Sequence, residues 1–239
     1  MKTTFTKSAM ALAIVAGVGF SGSALAVGQH ELGVIGQKTD VEFDNPFFTL
    51  DGDVNEFGVF YNYGNMYQER SGYVFRFNAD WTTGSSGGVD SDAYDIGVTA
   101  GYRMELSPEV YFDLLAGTGY SNWELDGGDA SLEIDKFYVR YGAALQADVN
   151  RDNTIRLELG SKYNVGGDIK LDIDGIGSDT QNLKNRNNFY AEASWVNSGT
   201  GIPLRFSVFH ENMDTSIDID APYADIDAYQ TGFKVSAMF

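Results

Sequence analysis

Ten stretches of the chain alternate apolar and polar residues with a period of two, which is typical of β-strands with one face in an apolar environment. No position on the apolar faces is charged, and the last face ends on the aromatic Phe239. The pattern predicts an all-β chain whose strands share one apolar surface. The ten apolar faces lie at Leu32 and Val34, Phe57–Tyr63, Tyr73–Trp81, Tyr94–Tyr102, Val110–Tyr120, Phe137–Ala147, Ile155–Tyr163, Phe189–Trp195, Ile202–Val208 and Tyr229–Phe239.

The connections between these strands alternate in length. Three are tight turns of turn-forming residues, at 107–109, 150–153 and 197–201. Five are long and are predicted as loops, at 40–53, 82–93, 124–135, 166–187 and 212–227. Two of the long connections alternate themselves, at Ile169–Ile173 and Ile217–Asp220. We expect the strands to continue there beyond the apolar band.

The N-terminus has the organisation of a secretory signal peptide. Lys2 and Lys7 precede an apolar run from Ala9 to Phe20, and the small residues Ala24 and Ala26 frame a cleavage site. The run is too short for a membrane helix, which needs about 20 apolar residues. We expect residues 1–26 to be removed and residues 27–239 to form one domain. The chain has no cysteine, which excludes disulfides and thiolate metal sites.

Together, the N-terminal signal, the alternating strands, the alternating connection lengths and the terminal Phe239 resemble the small Gram-negative outer-membrane β-barrels of the OmpA-like and OmpX-like class. The resemblance implies a transmembrane antiparallel up-and-down barrel in the outer membrane. Ten strands fit best, with eight and twelve as alternatives, and a soluble lipocalin-like barrel with the opposite alternation is the competing fold. It also implies that the assembly machinery reads the last strand, through Tyr229, Phe233, Val235 and Phe239.

Aromatic residues toward the strand ends are typical of the girdles at the membrane interfaces. The predicted girdle consists of Tyr63, Trp81, Tyr94, Tyr102, Tyr163 and Trp195.

The opposite face of the strands carries nearly balanced charges and would line the lumen. Paired charges are expected there because an unpaired buried charge is costly. The predicted lumen network consists of Arg76, Asp80, Asp95, Arg103, Asp113, Arg140, Arg156, Glu158, Lys162, Glu192, Arg205 and Lys234. A filled, salt-bridged lumen is one interpretation. A narrow polar pore is the other, helped by inward glycines such as Gly97, Gly119, Gly142 and Gly160, which would otherwise permit tight coiling of the sheet.

The formal net charge of −18 argues against nucleic acid as a partner. The five long connections carry 21 acidic and three basic residues. Lipopolysaccharide phosphates would repel them unless divalent cations bridged the two, so calcium or magnesium bound by oxygen ligands is a hypothesis. Fragments of a calcium loop occur at Asp51–Glu56 and at Asp172–Gly175, but neither completes the motif. No other cofactor is expected.

Enzymes are known among such barrels, and the sequence offers little for them. Omptin-like proteases use aspartates with a histidine, and lipid A deacylases use a histidine with a serine. His210 lies at the outer end of a strand, but Asn212 stands where the deacylase serine would be, and no aspartate-x-histidine pair is present. We therefore expect a non-enzymatic outer-membrane protein that acts in envelope integrity or surface interaction, in contact with membrane lipid and lipopolysaccharide. A small-solute channel is the alternative, and a surface hydrolase is the third.

Overall fold

In the computed structural model the chain folds into one antiparallel sheet that closes on itself. The structure describes residues 28–45, 48–67, 71–128, 130–173, 177–217 and 225–239, so the predicted signal segment lies outside the described residues. The strands are β1 Gln29–Asn45, β2 Phe48–Gly64, β3 Gly72–Ser86, β4 Val89–Ser107, β5 Val110–Asp126, β6 Ala130–Asn150, β7 Asn153–Ile173, β8 Gly177–Lys184, β9 Asn187–Asn197, β10 Leu204–Asn212, β11 Thr215–Ile217 and β12 Asp225–Met238.

These twelve segments form a wall ten strands wide. β8 and β9 both pair with β7, one above the other, and β10 and β11 both pair with β12 in the same way. β12 then pairs with β1, with Val34 opposite Val235, and closes the barrel. The amide of His30 donates to the carbonyl of Phe239 at 2.9 Å, and the amide of Phe239 donates back at 2.8 Å. The prediction of a ten-stranded barrel is confirmed.

The predicted apolar faces form the outside of this wall. Leu32 is 55% exposed and Val208 is 61% exposed, although both belong to regular strands. An ordinary soluble barrel would bury such side chains in its interior, so the lipocalin-like alternative does not describe this part of the molecule. The exposed set includes Leu32, Phe57, Val98, Leu114, Val139, Leu157, Phe189, Val208 and Phe233.

Most of the residues predicted as long loops are strands instead. β3 runs to Ser86 and β4 begins at Val89, joined by Gly87 and Gly88 with φ of 61° and 87°. Positive φ is readily available only to glycine, which explains this pair in so short a turn. The extension predicted at Ile169–Ile173 is confirmed in β7, whereas residues 218–220 of the second predicted extension lie outside the described residues.

The strand ends that continue past the apolar band form a raised rim. We define the rim as residues 38–45, 48–55, 82–86, 89–93, 122–126, 130–135, 168–173, 177–184, 215–217 and 225–228. At a rise of about 3.3 Å per residue, the six rim residues of β6 add about 20 Å of strand.

In the rim the apolar residues occupy the inward face of the strands, whereas below the rim they occupy the outward face. Their side chains pack against one another across the barrel. Ile134 is 1% exposed and Ile226 is fully buried, while Glu133 and Asp227 occupy the alternate, outward positions. We call this cluster the rim core. It consists of Val41, Val54, Trp123, Leu125, Leu132, Ile134, Ile169, Leu183, Ile226 and Ala228.

A bulge in β7 brings that strand into the same arrangement. Phe137 pairs with Gly166 and Tyr138 pairs with Asn164, so Val165 is the extra residue. An extra residue exchanges the two faces of a strand from that point on. Ile169 therefore points into the rim core rather than out of the barrel.

Candidate functional site

The lumen is the candidate site, and its charged side chains form a connected network in the lower half, nearest the short turns. Asp113 accepts a hydrogen bond from Arg103 at 2.7 Å and forms a second ion pair with Arg156. Glu158 lies 3.3 Å from Arg156, 2.7 Å from Arg140 and 3.0 Å from Arg76. All six side chains are buried. Each charge thus has at least one partner of opposite sign.

Three smaller groups of ion pairs lie in the same lumen. Lys162 bridges Asp95 at 3.4 Å and Glu211 at 2.8 Å. Lys234 contacts Asp80 at 2.8 Å. Arg205 contacts Glu192 and Glu31, each at 3.0 Å. All twelve residues of the predicted lumen network therefore point inward and take part in ion pairs.

Two tyrosines fill space beside the network. The ring of Tyr190 lies 4.3 Å from the Arg140 guanidinium carbon, and the ring of Tyr138 lies 4.8 Å from Lys162 Nζ. The inward glycines make room for these rings. A Cβ at Gly119 would lie 2.3 Å from the Tyr138 hydroxyl, and one at Gly160 would lie 2.6 Å from the Tyr190 hydroxyl. At these positions the glycines accommodate the tyrosine rings.

A further carboxylate, Glu56, lies in the lumen above the network. Glu56 accepts hydrogen bonds from Gln37 at 2.8 Å, from the Thr39 hydroxyl and from Ser91 at 2.6 Å. The Ser91 hydroxyl also accepts a hydrogen bond of 3.0 Å from the indole of Trp123, which belongs to the rim core. Strand parity alone predicts that Glu56 and Glu31 point inward, since Phe57 and Leu32 point outward.

At the short-turn end, Met66 and Tyr67 from the connection between β2 and β3 lie inside the lumen. Met66 is 3% exposed and packs against Val74, Leu115 and Ala144, with Tyr67 beside them. We call this group the lower plug. The carbonyl of Met66 accepts a hydrogen bond from Arg103, which ties the plug to the charge network.

Between the network and the rim core the lumen contains a chamber of about 150 Å³. Its wall includes several buried polar atoms that have no hydrogen-bond partner in the described structure. These atoms are Arg76 Nε, Asn78 Oδ1, Asp80 Oδ1, Asn164 Nδ2, Asn188 Oδ1 and Arg205 Nε. Such a polar chamber suits ordered water or a small polar ligand.

The predicted girdle residues lie at two levels of the barrel. Trp81, Tyr94 and Tyr163 lie toward the rim, and Tyr63, Tyr102 and Trp195 lie toward the short turns. Tyr102 and Trp195 are 50% and 43% exposed. In β12, Tyr229, Phe233 and Phe239 are exposed on the outside and Val235 is half-buried. Recognition of this strand by an assembly machinery stays a prediction.

The outside of the rim is acidic at the hairpin of β1 and β2. Lys38 donates a hydrogen bond to Asp40 at 2.8 Å and lies 3.6 Å from Asp53. The hydrogen bond with Asp40 raises the pKa of Lys38 above its ordinary value. Within the described ranges no group of three or more histidine or carboxylate side chains is arranged to hold a metal ion. Of the two calcium-loop fragments, residues 174 and 175 lie outside those ranges.

Neither histidine is joined to a carboxylate by a hydrogen bond in the described structure. Nδ1 of His210 lies 2.9 Å from the Thr231 hydroxyl on the outside of the barrel. Nδ1 of His30 lies 2.7 Å from the Tyr61 hydroxyl, and its ring stacks on Phe239 with centroids 5.7 Å apart.

Residues 11–196 match the sequence profile of a protein family described as outer membrane protein β-barrel domain. The chain therefore belongs to this family and is an integral β-barrel protein of the outer membrane. A search of curated proteins by sequence finds no match. No helix in the described part of the chain is long and apolar enough to cross a membrane.

Solved structures support the fold. The outer membrane protease OmpT from Escherichia coli aligns with a TM-score of 0.59 at 8% identity, over 92% of this chain and 99% of that one. The translocator domain of the autotransporter NalP from Neisseria meningitidis aligns over 96% of this chain and 94% of that one, at 11% identity, with a TM-score of 0.45 that is too low to support an argument. At these identities the similarity concerns the fold alone.

Proposed function

We propose that this outer-membrane barrel is neither a pore nor an enzyme and that it acts in envelope integrity or surface interaction through its rim. The observation that carries the proposal is the filled lumen. The lower plug, the charge network and the rim core occupy it at three successive levels. Because the network charges are satisfied by one another, they offer no row of free charges along which a solute could move.

The rim is the part of the molecule best suited to meet a partner. It is regular sheet with its own apolar core, so its outer surface is held in a fixed shape. Its acidic character would favour cationic partners, or divalent cations that link its carboxylates to lipopolysaccharide phosphates. Membrane lipid around the apolar band and the assembly machinery at β12 complete the proposed set of partners.

Planar-bilayer conductance of the refolded protein tests the closed lumen. We expect no discrete current steps from protein whose folding has been verified by a heat-sensitive shift on a gel. Discrete steps whose size changes in Arg140→Ala or Glu158→Ala would contradict the proposal, because both side chains lie in the lumen. Val139→Ala, an outward substitution in the same strand as Arg140, is the matched control.

A small-solute channel is the second candidate, and the chamber of about 150 Å³ is the observation that favours it. A channel would require the rim core and the lower plug to open. Conductance that appears in Trp123→Ala and is absent from wild type would identify the rim core as a closed gate. Silence in both proteins would support a filled barrel.

A surface hydrolase is the third candidate, and His210 is its test. The contact of His210 with Thr231 provides a base beside a hydroxyl, but no carboxylate of the described residues orients the imidazole. We expect whole cells that carry His210→Ala to keep the protease and lipase activity of cells with the wild-type protein. Loss of either activity would argue for an enzyme.

A further inference from the structure

Lys136 differs from every other cation of the lumen. Its side chain is buried, with 8% exposed, and its ammonium donates a hydrogen bond of 2.9 Å to the carbonyl of Met213. It forms no ion pair with any described residue. Each of the other lumen cations has a carboxylate within 4 Å, namely Arg76, Arg103, Arg140, Arg156, Lys162, Arg205 and Lys234. A buried ammonium without a counter-charge is costly, so a negative partner beside Lys136 would stabilise the folded protein.

The strands beside Lys136 supply no such partner. In register, it faces Ser121 on β5 and Gly167 on β7, and both are uncharged. Gly167 has a φ of 146°, and a Cβ there would lie 2.0 Å from the carbonyl oxygen of Asp135, so a larger residue does not fit. The carboxylates of Glu211 and Asp214 both act on Lys136 from a distance, but neither forms an ion pair with its ammonium. Glu211 is bound by Lys162 at 2.8 Å, and Asp214 accepts a hydrogen bond of 3.3 Å from the amide of Ala228.

The space next to Lys136 is the chamber. Lys136 and Asn164 both line it, and Asn164 is 3% exposed with an amide nitrogen that has no partner. Asn164 lies two pairs further down the ladder, opposite Tyr138, and is the next inward-facing residue of β7. An ammonium and an unused N–H donor on neighbouring strands are thus directed at one volume. That volume exceeds the roughly 30 Å³ that a water molecule occupies in the liquid, which leaves room for a small ion with a few waters.

We propose that the chamber binds a small monovalent inorganic anion of the halide class, with Lys136 supplying the charge and Asn164 a hydrogen bond. The unpartnered acceptors Asn78 Oδ1 and Asp80 Oδ1 in the same wall disfavour a large or multivalent oxyanion, since they would repel its oxygens. Bound water satisfies these acceptors. The anion is a fixed part of the folded lumen and balances its charge.

Thermal unfolding of the refolded protein in detergent tests the site. A ligand that binds only the folded state raises the unfolding temperature with its concentration. We expect a rise of about 2–4 °C when chloride replaces gluconate at constant ionic strength from low to high millimolar concentration. Lys136→Met should remove the difference between the two salts. Lys170→Met, at an exposed lysine of the rim, should retain it. Equal unfolding temperatures in chloride and gluconate for the wild type would overturn the proposal, whether the chamber holds only water or Lys136 is uncharged.

Crystallography of the wild type gives a second test that needs no variant to fold. Protein refolded and crystallised in bromide should show an anomalous peak in contact with Lys136 Nζ. Bromide found only on the outside of the barrel, with water alone in the chamber, would overturn the proposal.

Discussion

The barrel has two parts that bury opposite kinds of residue. One is the rim, and the other is the membrane section, by which we mean the strands below the rim that carry the outward apolar band. In β6 the membrane section exposes Phe137 and Val139 to the outside and places Arg140 in the lumen. A few residues earlier, in the rim, Ile134 points inward and Glu133 points outward. The strand is continuous across the change. The period of two is therefore kept, and only the assignment of apolar residues to a face is exchanged.

The surrounding medium determines which face of each strand carries the apolar residues. Lipid on the outside demands apolar side chains there, so polar residues occupy the lumen and must satisfy one another. Water surrounds the rim, so the rim buries its apolar residues like a soluble barrel. We therefore expect the edge of the membrane on each strand at the level where the apolar face changes side.

The largest effect is expected from breaking the charge network of the membrane section. Asp113→Ala removes the carboxylate that both Arg103 and Arg156 contact, so each of these buried guanidiniums loses one ion pair while Arg156 keeps Glu158. We expect a loss of about 3–5 kcal/mol in the free energy of unfolding, measured by urea titration in lipid vesicles. Asp90→Ala, at an exposed rim carboxylate, should change it by less than about 0.5 kcal/mol. Similar values for the two variants would contradict a network that supports the fold.

A comparable loss is expected from opening the rim core. Trp123→Ala removes a buried indole together with its hydrogen bond to Ser91. Truncation of a buried aromatic costs about 3–5 kcal/mol. Limited proteolysis should then cut the rim while the membrane section stays protected. Cleavage at unchanged rates would mean that the rim core does not hold the rim together.

A smaller effect should distinguish the two outer surfaces of β6. Val139→Arg puts a charge on the apolar wall, which costs about 2–4 kcal/mol near the middle of the bilayer. Ser131→Arg puts the same charge on the outside of the rim, opposite Asp126 and Asp172, where we expect no loss. Urea titration of both variants measures the contrast. Equal losses in the two variants would show that Ser131 also lies in the bilayer and that the membrane edge is higher than we infer.

The smallest effect is expected at the exposed ion pair of the rim. Lys38→Met removes the contacts with Asp40 and Asp53, which water and salt already screen. Because Asp40 raises the pKa of Lys38, any contribution is complete below the ordinary value of 10.5 and is lost as pH rises through the raised value. We expect no resolvable shift of the unfolding midpoint at neutral pH. A clear shift would indicate that the rim depends on surface charge.

Much of the lumen could be predicted from strand parity. Once Phe75, Phe77 and Tyr102 are assigned to the outside, Arg76 and Arg103 must point inward, and the structure agrees. Parity does not give partners, because these depend on the register between strands distant in sequence. Arg76 meets Glu158 from across the barrel, 82 residues away.

The rim was harder to predict because its sequence signal is short and inverted. Leu132 and Ile134 carry an apolar alternation in the phase opposite to Phe137 and Val139, which a search for a continued lipid-facing stripe interprets as a loop. A change of phase that recurs on several strands at the same level would have indicated apolar residues that point inward, and therefore the rim core.

The sequence was enough to locate the strands of the apolar band and their outward faces, and it favoured ten strands over eight or twelve, because local alternation reflects a uniform surrounding medium. Three other features depend on tertiary contacts. These are the bulge at Val165 that turns β7 into the rim core, the insertion of Met66 into the lower end, and the isolation of Lys136 beside the chamber. Each depends on how side chains from strands distant in sequence pack and pair inside the lumen. The local alternation of apolar and polar residues does not specify these contacts.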